Sequence, residues 1–212
     1  MLFKLASLAA MALLAVAPHD TLPDLQLGDA LPAPDVKMQD VTTKEYSLKD
    51  LVGANGLLVV FSCNTCPFVI GSEGSEGWEG RYPELGAFAK RNGVGMALVN
   101  SNEAKRADGD SFGDMQLHFK LKNYPGAYLL DAGHVVADAF GARTTPHVFL
   151  FDKNGKLVYK GAIDDSVASA AAVKEHWLHN AIDNLVSGKP CEPAVTRNVG
   201  CSIKRIASTH TH

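Results

Sequence analysis

Apolar residues come along this chain in short unbroken runs separated by polar stretches, as expected of strands buried within a sheet. Leu57-Leu58-Val59-Val60-Phe61 is the clearest run, Val94–Asn100 the next, and Ala127–Leu130 a shorter one. Val148–Asp152 and Leu157–Gly161 flank Lys153-Asn154-Gly155, and Asn-Gly between two strands signals a tight hairpin turn. Between these runs the apolar spacing becomes helical. Tyr82–Arg91 reads as a helical segment ended by Gly93, and Asp110 or Ser111 caps a helix to about Lys122. Val135–Phe140 is a short helix closed by Gly141. Ser169–Val186 carries Val173, Trp177, Ala181 and Leu185 at helical spacing and stops before Gly188 and Pro190. Another helix is expected to open near Thr65 and continue to about Arg91. Gly71, Gly74, Gly77 and Gly80 each cost roughly 1 kcal/mol there relative to Ala, so this helix is read as broken before Tyr82. Upstream, Pro18 to Asp35 reads as an extended lead-in, and Asp35 to Leu51 as a small hairpin turning around Asp40 to Lys44. The order β-α-β-α, a short βα, then β-β-α predicts an α/β fold. It has a mixed central sheet with helices on both faces, an N-terminal hairpin extension and a C-terminal tail.

The first seventeen residues stand apart from this pattern. Lys4 is a short positive segment, Leu5 to Leu14 is apolar and uncharged, and Ala15-Val16-Ala17 fits a small-x-small cleavage site. The run falls short of the roughly 20 residues that a membrane span needs. Residues 1–17 are therefore expected to be a signal peptide, 18–190 the folded domain, and 191–212 a tail. The mature chain would begin near Pro18, be periplasmic or secreted, and have no stable membrane insertion after cleavage. With 212 residues and a net charge of −3, one domain suffices, and nothing favours nucleic acid or an anionic membrane surface as a partner.

The chemistry concentrates at Cys63-Asn64-Thr65-Cys66-Pro67, directly after the buried run. Two thiols where a strand opens into a helix suit redox chemistry, because free N–H groups and a partial positive charge at a helix start favour a thiolate. An ordinary cysteine of pKa about 8.5 is only about 3% thiolate at pH 7, whereas one lowered to about 7 is half ionised. Pro67 is compatible with the first helical turn, which needs no N–H donor there. Two further cysteines, Cys191 and Cys201, lie together in the tail. In an oxidising compartment they form a natural second disulfide, closing a loop worth roughly 3 kcal/mol in the chain-entropy model. The alternative is that Cys201 exchanges with the active pair.

Strand, Cys-x-x-Cys, helix, and later Thr-Pro before a β-hairpin is the order of the thioredoxin fold. The chain resembles a bacterial group of exported thioredoxin-like (redoxin-domain) proteins with a CNTCP motif. The likeness lies at Phe61-Ser62-Cys63-Asn64-Thr65-Cys66-Pro67-Phe68-Val69, Asn100-Ser101-Asn102-Glu103-Ala104, Phe140 to Asp152, Lys156 to Asp165, and Gly200-Cys201-Ser202-Ile203-Lys204-Arg205. It spans roughly residues 30 to 205. The resemblance implies that Cys63 is an exposed attacking thiol and Cys66 a buried resolving thiol. It implies that Pro146 is a cis-proline facing the pair, and that the backbone of Thr145 pairs with an extended substrate segment as an added strand. The chain departs from ordinary thioredoxin in lacking Trp before Cys63 and Gly-Pro between the cysteines. It also shows no acidic residue in Leu57 to Phe61, so the proton acceptor for the pair is unassigned.

The implied function is thiol–disulfide exchange with protein or small-molecule disulfides and dithiols, recharged by an unidentified redox partner, with no cofactor and no resident metal. Three rivals are weighed against it. A zinc site would draw on Cys191 and Cys201, at an unusual spacing. A copper chaperone would use His147, which follows Pro146, although such chaperones carry three residues between their cysteines. A peroxiredoxin-like peroxidase needs Pro seven and Thr three residues before its cysteine, where this chain has Gly56 and Val60. Glu73, Glu76 and Glu79 read as a solvated face, Asp164-Asp165 as a cap of the last helix or a turn leading into it, and His210 and His212 as a frayed end.

Overall fold

The computed structural model describes residues 22–207; the expected signal peptide, His210 and His212 lie outside them. The strands are β1 (Met38–Asp40), β2 (Glu45–Tyr46), β3 (Gly56–Ser62), β4 (Val94–Asn100), β5 (Ala127–Leu130), β6 (Thr144–Thr145), β7 (His147–Asp152), β8 (Leu157–Gly161) and β9 (Cys201–Ser202). The α-helices are α1 (Pro67–Ile70), α2 (Tyr82–Arg91), α3 (Phe112–Lys122), α4 (Val135–Phe140) and α5 (Trp177–Val186). Seven strands form one sheet in the order β2-β1-β5-β4-β3-β7-β8, and β6 and β9 form a separate two-stranded ladder.

β3 sits inside the sheet. It pairs in parallel with β4, from Gly56 opposite Val94 to Ser62 opposite Asn100, and antiparallel with β7, with Phe61 opposite His147. Every residue of β3 is buried, and the period-2 alternation of a strand divides them between two cores. Leu58 and Val60 pack with Tyr82, Leu85, Leu178 and Ile182 on one face. Leu57, Val59 and Phe61 pack with Val136, Phe140, Phe149 and Phe151 on the other. Phe61, Phe140 and Phe149 meet edge to face, with centroids 5.2 to 5.8 Å apart, a favoured aromatic geometry. The lead-in closes an edge: Gly28 donates to the Leu157 carbonyl and Leu31 to that of Gly155.

Two helices are shorter than the spacing predicts, each for a local reason. α1 ends at Ile70 because Gly71 takes φ 88° and Gly77 φ 69° in a tight loop. A Cβ on Gly77 would stand 2.4 Å from both the Gly71 nitrogen and the Val69 oxygen. α5 begins only at Trp177. The N–H groups that would carry it further upstream are taken by carboxylates: Asp165 accepts from Lys174 and Glu175, and Glu76 from Ala170. Asp164 does not cap a helix; it accepts from Trp78 Nε1 at 2.8 Å and from Arg81 at 2.7 Å, joining the glycine loop to the end of β8. Glu79 is buried rather than solvated, and is held by His118, Lys122 and Tyr124.

Gly77→Ala is expected to lower the unfolding free energy by about 2–3 kcal/mol, since positive φ and a backbone clash combine there. Gly74→Ala, with φ 78° but no atom within 4 Å of the added Cβ, should cost about 1 kcal/mol. Urea denaturation of the two variants beside wild type checks the difference.

Candidate functional site

The site lies where β3 and β4 end side by side. Loops leaving the carboxyl ends of neighbouring parallel strands converge there. The chain leaves β3 at Ser62, turns through Asn64 and Thr65, and enters α1 with Cys66 as its extended N-cap and Pro67 as the first helical residue. The turn is fixed by Asp110, which comes from the loop after β4 and is fully buried. Asp110 Oδ1 accepts from the Asn64 N–H at 2.7 Å and from Asn100 Nδ2 at 2.8 Å. Its Oδ2 accepts from the Thr65 hydroxyl at 2.8 Å and Asn102 Nδ2 at 3.0 Å. Tyr128 donates to Asn64 Oδ1 at 2.8 Å. Sequence reasoning missed Asp110, reading it only as one possible helix cap; that cap is Ser111, in a capping box with Asp114. The usable signal was that Asp110 follows the strand expected to run beside β3, so its loop must meet the Cys-x-x-Cys turn.

Cys63, Cys66, Thr145 and Pro146 come together as the sequence implies. The Thr145–Pro146 peptide is cis. Thr145 touches both sulfurs: its Oγ1 lies 3.2 Å from Cys63 Sγ, and its carbonyl accepts from Cys66 Sγ at 3.1 Å. The exposed thiol expected at Cys63 is not found. Cys63 is 0% and Cys66 3% exposed, because the C-terminal tail lies over the site. β9 pairs antiparallel with β6, setting Cys201 opposite Thr145 and Ser202 opposite Thr144. The backbone edge expected to receive a substrate strand thus holds a strand of the chain itself.

The two active thiols have unequal acidity. Cys66 is pulled down to about 5, first by a hydrogen bond from Cys63 and further by Cys201 and Thr145, against the opposing effect of burial. Cys63 is raised well above the ordinary thiol value by that same bond to Cys66, by burial and by the negative charge of Asp110. One contact favours the opposite arrangement: the Thr145 carbonyl at 3.1 Å from Cys66 Sγ stabilises a thiol there and repels a thiolate. The pull of Cys63, Cys201 and Thr145 acts against that single acceptor and favours Cys66 as the more acidic thiol of this closed arrangement.

The remaining candidates lie elsewhere. Cys191 is buried and donates to the Ala181 carbonyl at 3.4 Å, and all four cysteines are free thiols. The tail pair is therefore not joined, and Cys201 neighbours Cys66 instead. His147 faces away from the sulfurs, stacking on Phe149 with ring centroids 4.4 Å apart and accepting from the Arg143 N–H. Burial there lowers its pKa to about 3. A surface groove of about 800 Å³ lies between α2 and the start of β5, near Lys90, Tyr124 and Pro125, and contains none of the cysteines.

Two outcomes are expected for the reduced protein. Thiolate absorbance near 240 nm should titrate in wild type with a midpoint near 5, and Cys63→Ala, which removes the main donor, should move that midpoint upward. In a Cys66→Ser background, Asp110→Asn should lower the Cys63 midpoint, because the charge opposing its ionisation is gone. Unchanged midpoints in both comparisons would contradict these electrostatics.

The fold and site place the chain among known proteins. Residues 26–174 match the Redoxin family. An uncharacterized conserved protein from Geobacillus kaustophilus is 30% identical, with TM-score 0.77, covering 90% of this chain and 96% of its own. A hypothetical protein from Sinorhizobium meliloti is 28% identical, also with TM-score 0.77, covering 88% of this chain and 98% of its own. The thioredoxin domain of a Bacteroides vulgatus thiol-disulfide oxidoreductase shares the fold at TM-score 0.55 and 20% identity, covering 77% and 99%. No curated protein sequence matches the chain. A mixed sheet of this order, a Cys-x-x-Cys turn at the end of its inner strand and a cis-proline loop facing it accompany the match over most of the domain: the chain belongs to the Redoxin family.

Proposed function

We propose that this protein is an exported thiol–disulfide oxidoreductase that works through Cys63 and Cys66 by mixed-disulfide exchange. The observation carrying this reading is that Thr145, before the cis-proline, contacts both sulfurs, its hydroxyl at Cys63 and its carbonyl at Cys66. Two thiols on one turn, both against the residue before a cis-proline, are arranged to open a disulfide and close on each other. Export rests on Lys4, the apolar Leu5–Leu14 run and Ala15-Val16-Ala17; among the described residues no helix is long and apolar enough to cross a membrane.

The step is a sulfur exchange. The Cys66 thiolate attacks one sulfur of a substrate disulfide, forms a mixed disulfide and expels the other substrate thiolate. Cys63 then attacks Cys66, releasing the second substrate thiol and leaving the Cys63–Cys66 disulfide. This order reverses the roles that the resemblance implies: the donors around Cys66 pull its thiol down, while the bond to Cys66, burial and the charge of Asp110 push Cys63 up. The carbonyl of Thr145 facing Cys66 supports the second reading, in which Cys63 attacks. Substrates are protein or small-molecule disulfides and dithiols. A separate partner resets the pair.

Cys63→Ser and Cys66→Ser should each reduce insulin-disulfide turnover by at least about 10³-fold, the scale expected when an essential nucleophile is lost. Incubation with a disulfide peptide should then leave a stable adduct on Cys66 in the double variant Cys63→Ser, Cys201→Ala, which lacks both thiols placed next to Cys66. An adduct formed only on Cys63 in Cys66→Ser would restore the first assignment of roles. Turnover unaffected in both variants would overturn the function.

A further inference from the structure

The tail is fastened over the site by contacts that have nothing to do with Cys191. Asn198 Nδ2 donates to Thr144 Oγ1 at 2.8 Å, the Ile203 N–H to the Arg143 carbonyl at 3.0 Å, and the Lys204 N–H to Asn102 Oδ1 at 2.9 Å. Arg205 pairs with Asp138 at 2.7 Å, and Ile203 is buried in the core that holds Phe61 and Phe140. Gly200 permits the close approach: a Cβ there would stand 2.3 Å from the Thr145 carbonyl oxygen. These contacts hold Cys201 in register opposite Thr145, the residue whose carbonyl and hydroxyl touch Cys66 and Cys63.

Cys66 thus has two thiol neighbours: Cys63 on its own turn, and Cys201, which the ladder sets opposite Thr145 and which packs against the core that holds Cys63 and Cys66. Cys201 is also the only partly exposed member of the three; Cys63 and Cys66 are buried. A sulfur in the ladder position of an added substrate strand, against the active pair, has the placement of a substrate thiol.

We propose that Cys201 is a third redox thiol, which attacks Cys66 in the Cys63–Cys66 disulfide and moves the disulfide onto the tail. The inference rests on the redox reading of the pair given above. In this exchange the Cys63–Cys66 bond breaks, a Cys66–Cys201 bond forms, Cys201 loses a proton and Cys63 gains one. The number of disulfides is unchanged, so no outside oxidant or reductant takes part. In the reduced state the Cys201 thiol is pushed up to about 11, by burial and then by its hydrogen bond to Cys66 and the charge there. Once Cys66 is in a disulfide, that charge is absent and Cys201 ionises more readily. The product covalently fastens β9 to the start of α1, frees Cys63, and brings the disulfide to the most accessible of the three sulfurs, where an external reductant meets it.

The test is disulfide mapping of the full chain. Wild type, Cys63→Ala and Cys201→Ala are reduced, equilibrated with excess glutathione disulfide, quenched with acid and N-ethylmaleimide, and digested for mass spectrometry. Cys63→Ala should contain the Cys66–Cys201 linked peptide as its main oxidised species, and wild type should yield both Cys63–Cys66 and Cys66–Cys201 peptides. Cys201→Ala should form Cys63–Cys66 alone; its failure to do so would instead count against the redox reading of the pair. The inference is overturned if Cys201 is recovered alkylated or glutathionylated in oxidised wild type, with no linked peptide to Cys66, while Cys63–Cys66 forms fully. The wild-type arm decides this even where the alanine variants fold poorly.

Discussion

A buried carboxylate must find donors inside the protein or remain uncharged, because transfer from water costs several kcal/mol per ion. Asp110 resolves this with four donors: two side-chain amides from the strand end and the residues after it, one hydroxyl, and the N–H of Asn64. Two of the four belong to residues between the cysteines. The same bonds that make the charge tolerable therefore dictate the shape of the Cys-x-x-Cys turn. They also put a negative charge near Cys63, which opposes its ionisation, and so help direct the available thiolate to Cys66.

The tail adds a second constraint. A thioredoxin-type site needs an open backbone edge beside its cis-proline, but here β9 occupies that edge. Its attachment is polar at Asn198, Lys204 and Arg205 and apolar at Ile203, with Val199 and Cys201 partly buried against the other core. An incoming substrate strand therefore competes with short-range hydrogen bonds rather than with a large packed interface. Burial of both active sulfurs is a property of this closed arrangement, and it makes tail displacement or exchange part of any reaction with a large substrate.

Much of the fold was legible because strands such as Leu57–Phe61 and helices such as Val135–Phe140 announce themselves by period and punctuation. The cysteine pair and the Thr145–Pro146 loop were legible because their chemistry is local in sequence. The missing parts depend on distance. Asp110 lies 46 positions beyond Asn64, and only the parallel pairing of β3 with β4 brings them together. Cys201 was read beside Cys191 because the two are near in the chain, yet the register of β9 with β6 carries it to Cys66. The glycines announced the break after the helix that opens near Thr65, whereas the start expected at Ser169 failed because Asp165 and Glu76 act as long-range acceptors that local periodicity does not contain.

All of this requires that the sulfurs of Cys63 and Cys66 join and separate reversibly under physiological redox conditions. The direct measurement is their reduction potential, obtained by equilibrating the Cys201→Ala protein in graded mixtures of reduced and oxidised glutathione and quantifying the Cys63–Cys66 linked peptide. A two-electron transition between about −120 and −270 mV is expected, the range of working exchange pairs. A pair that stays wholly reduced, or a disulfide that resists reduction below about −300 mV as structural ones do, would contradict a cycling site.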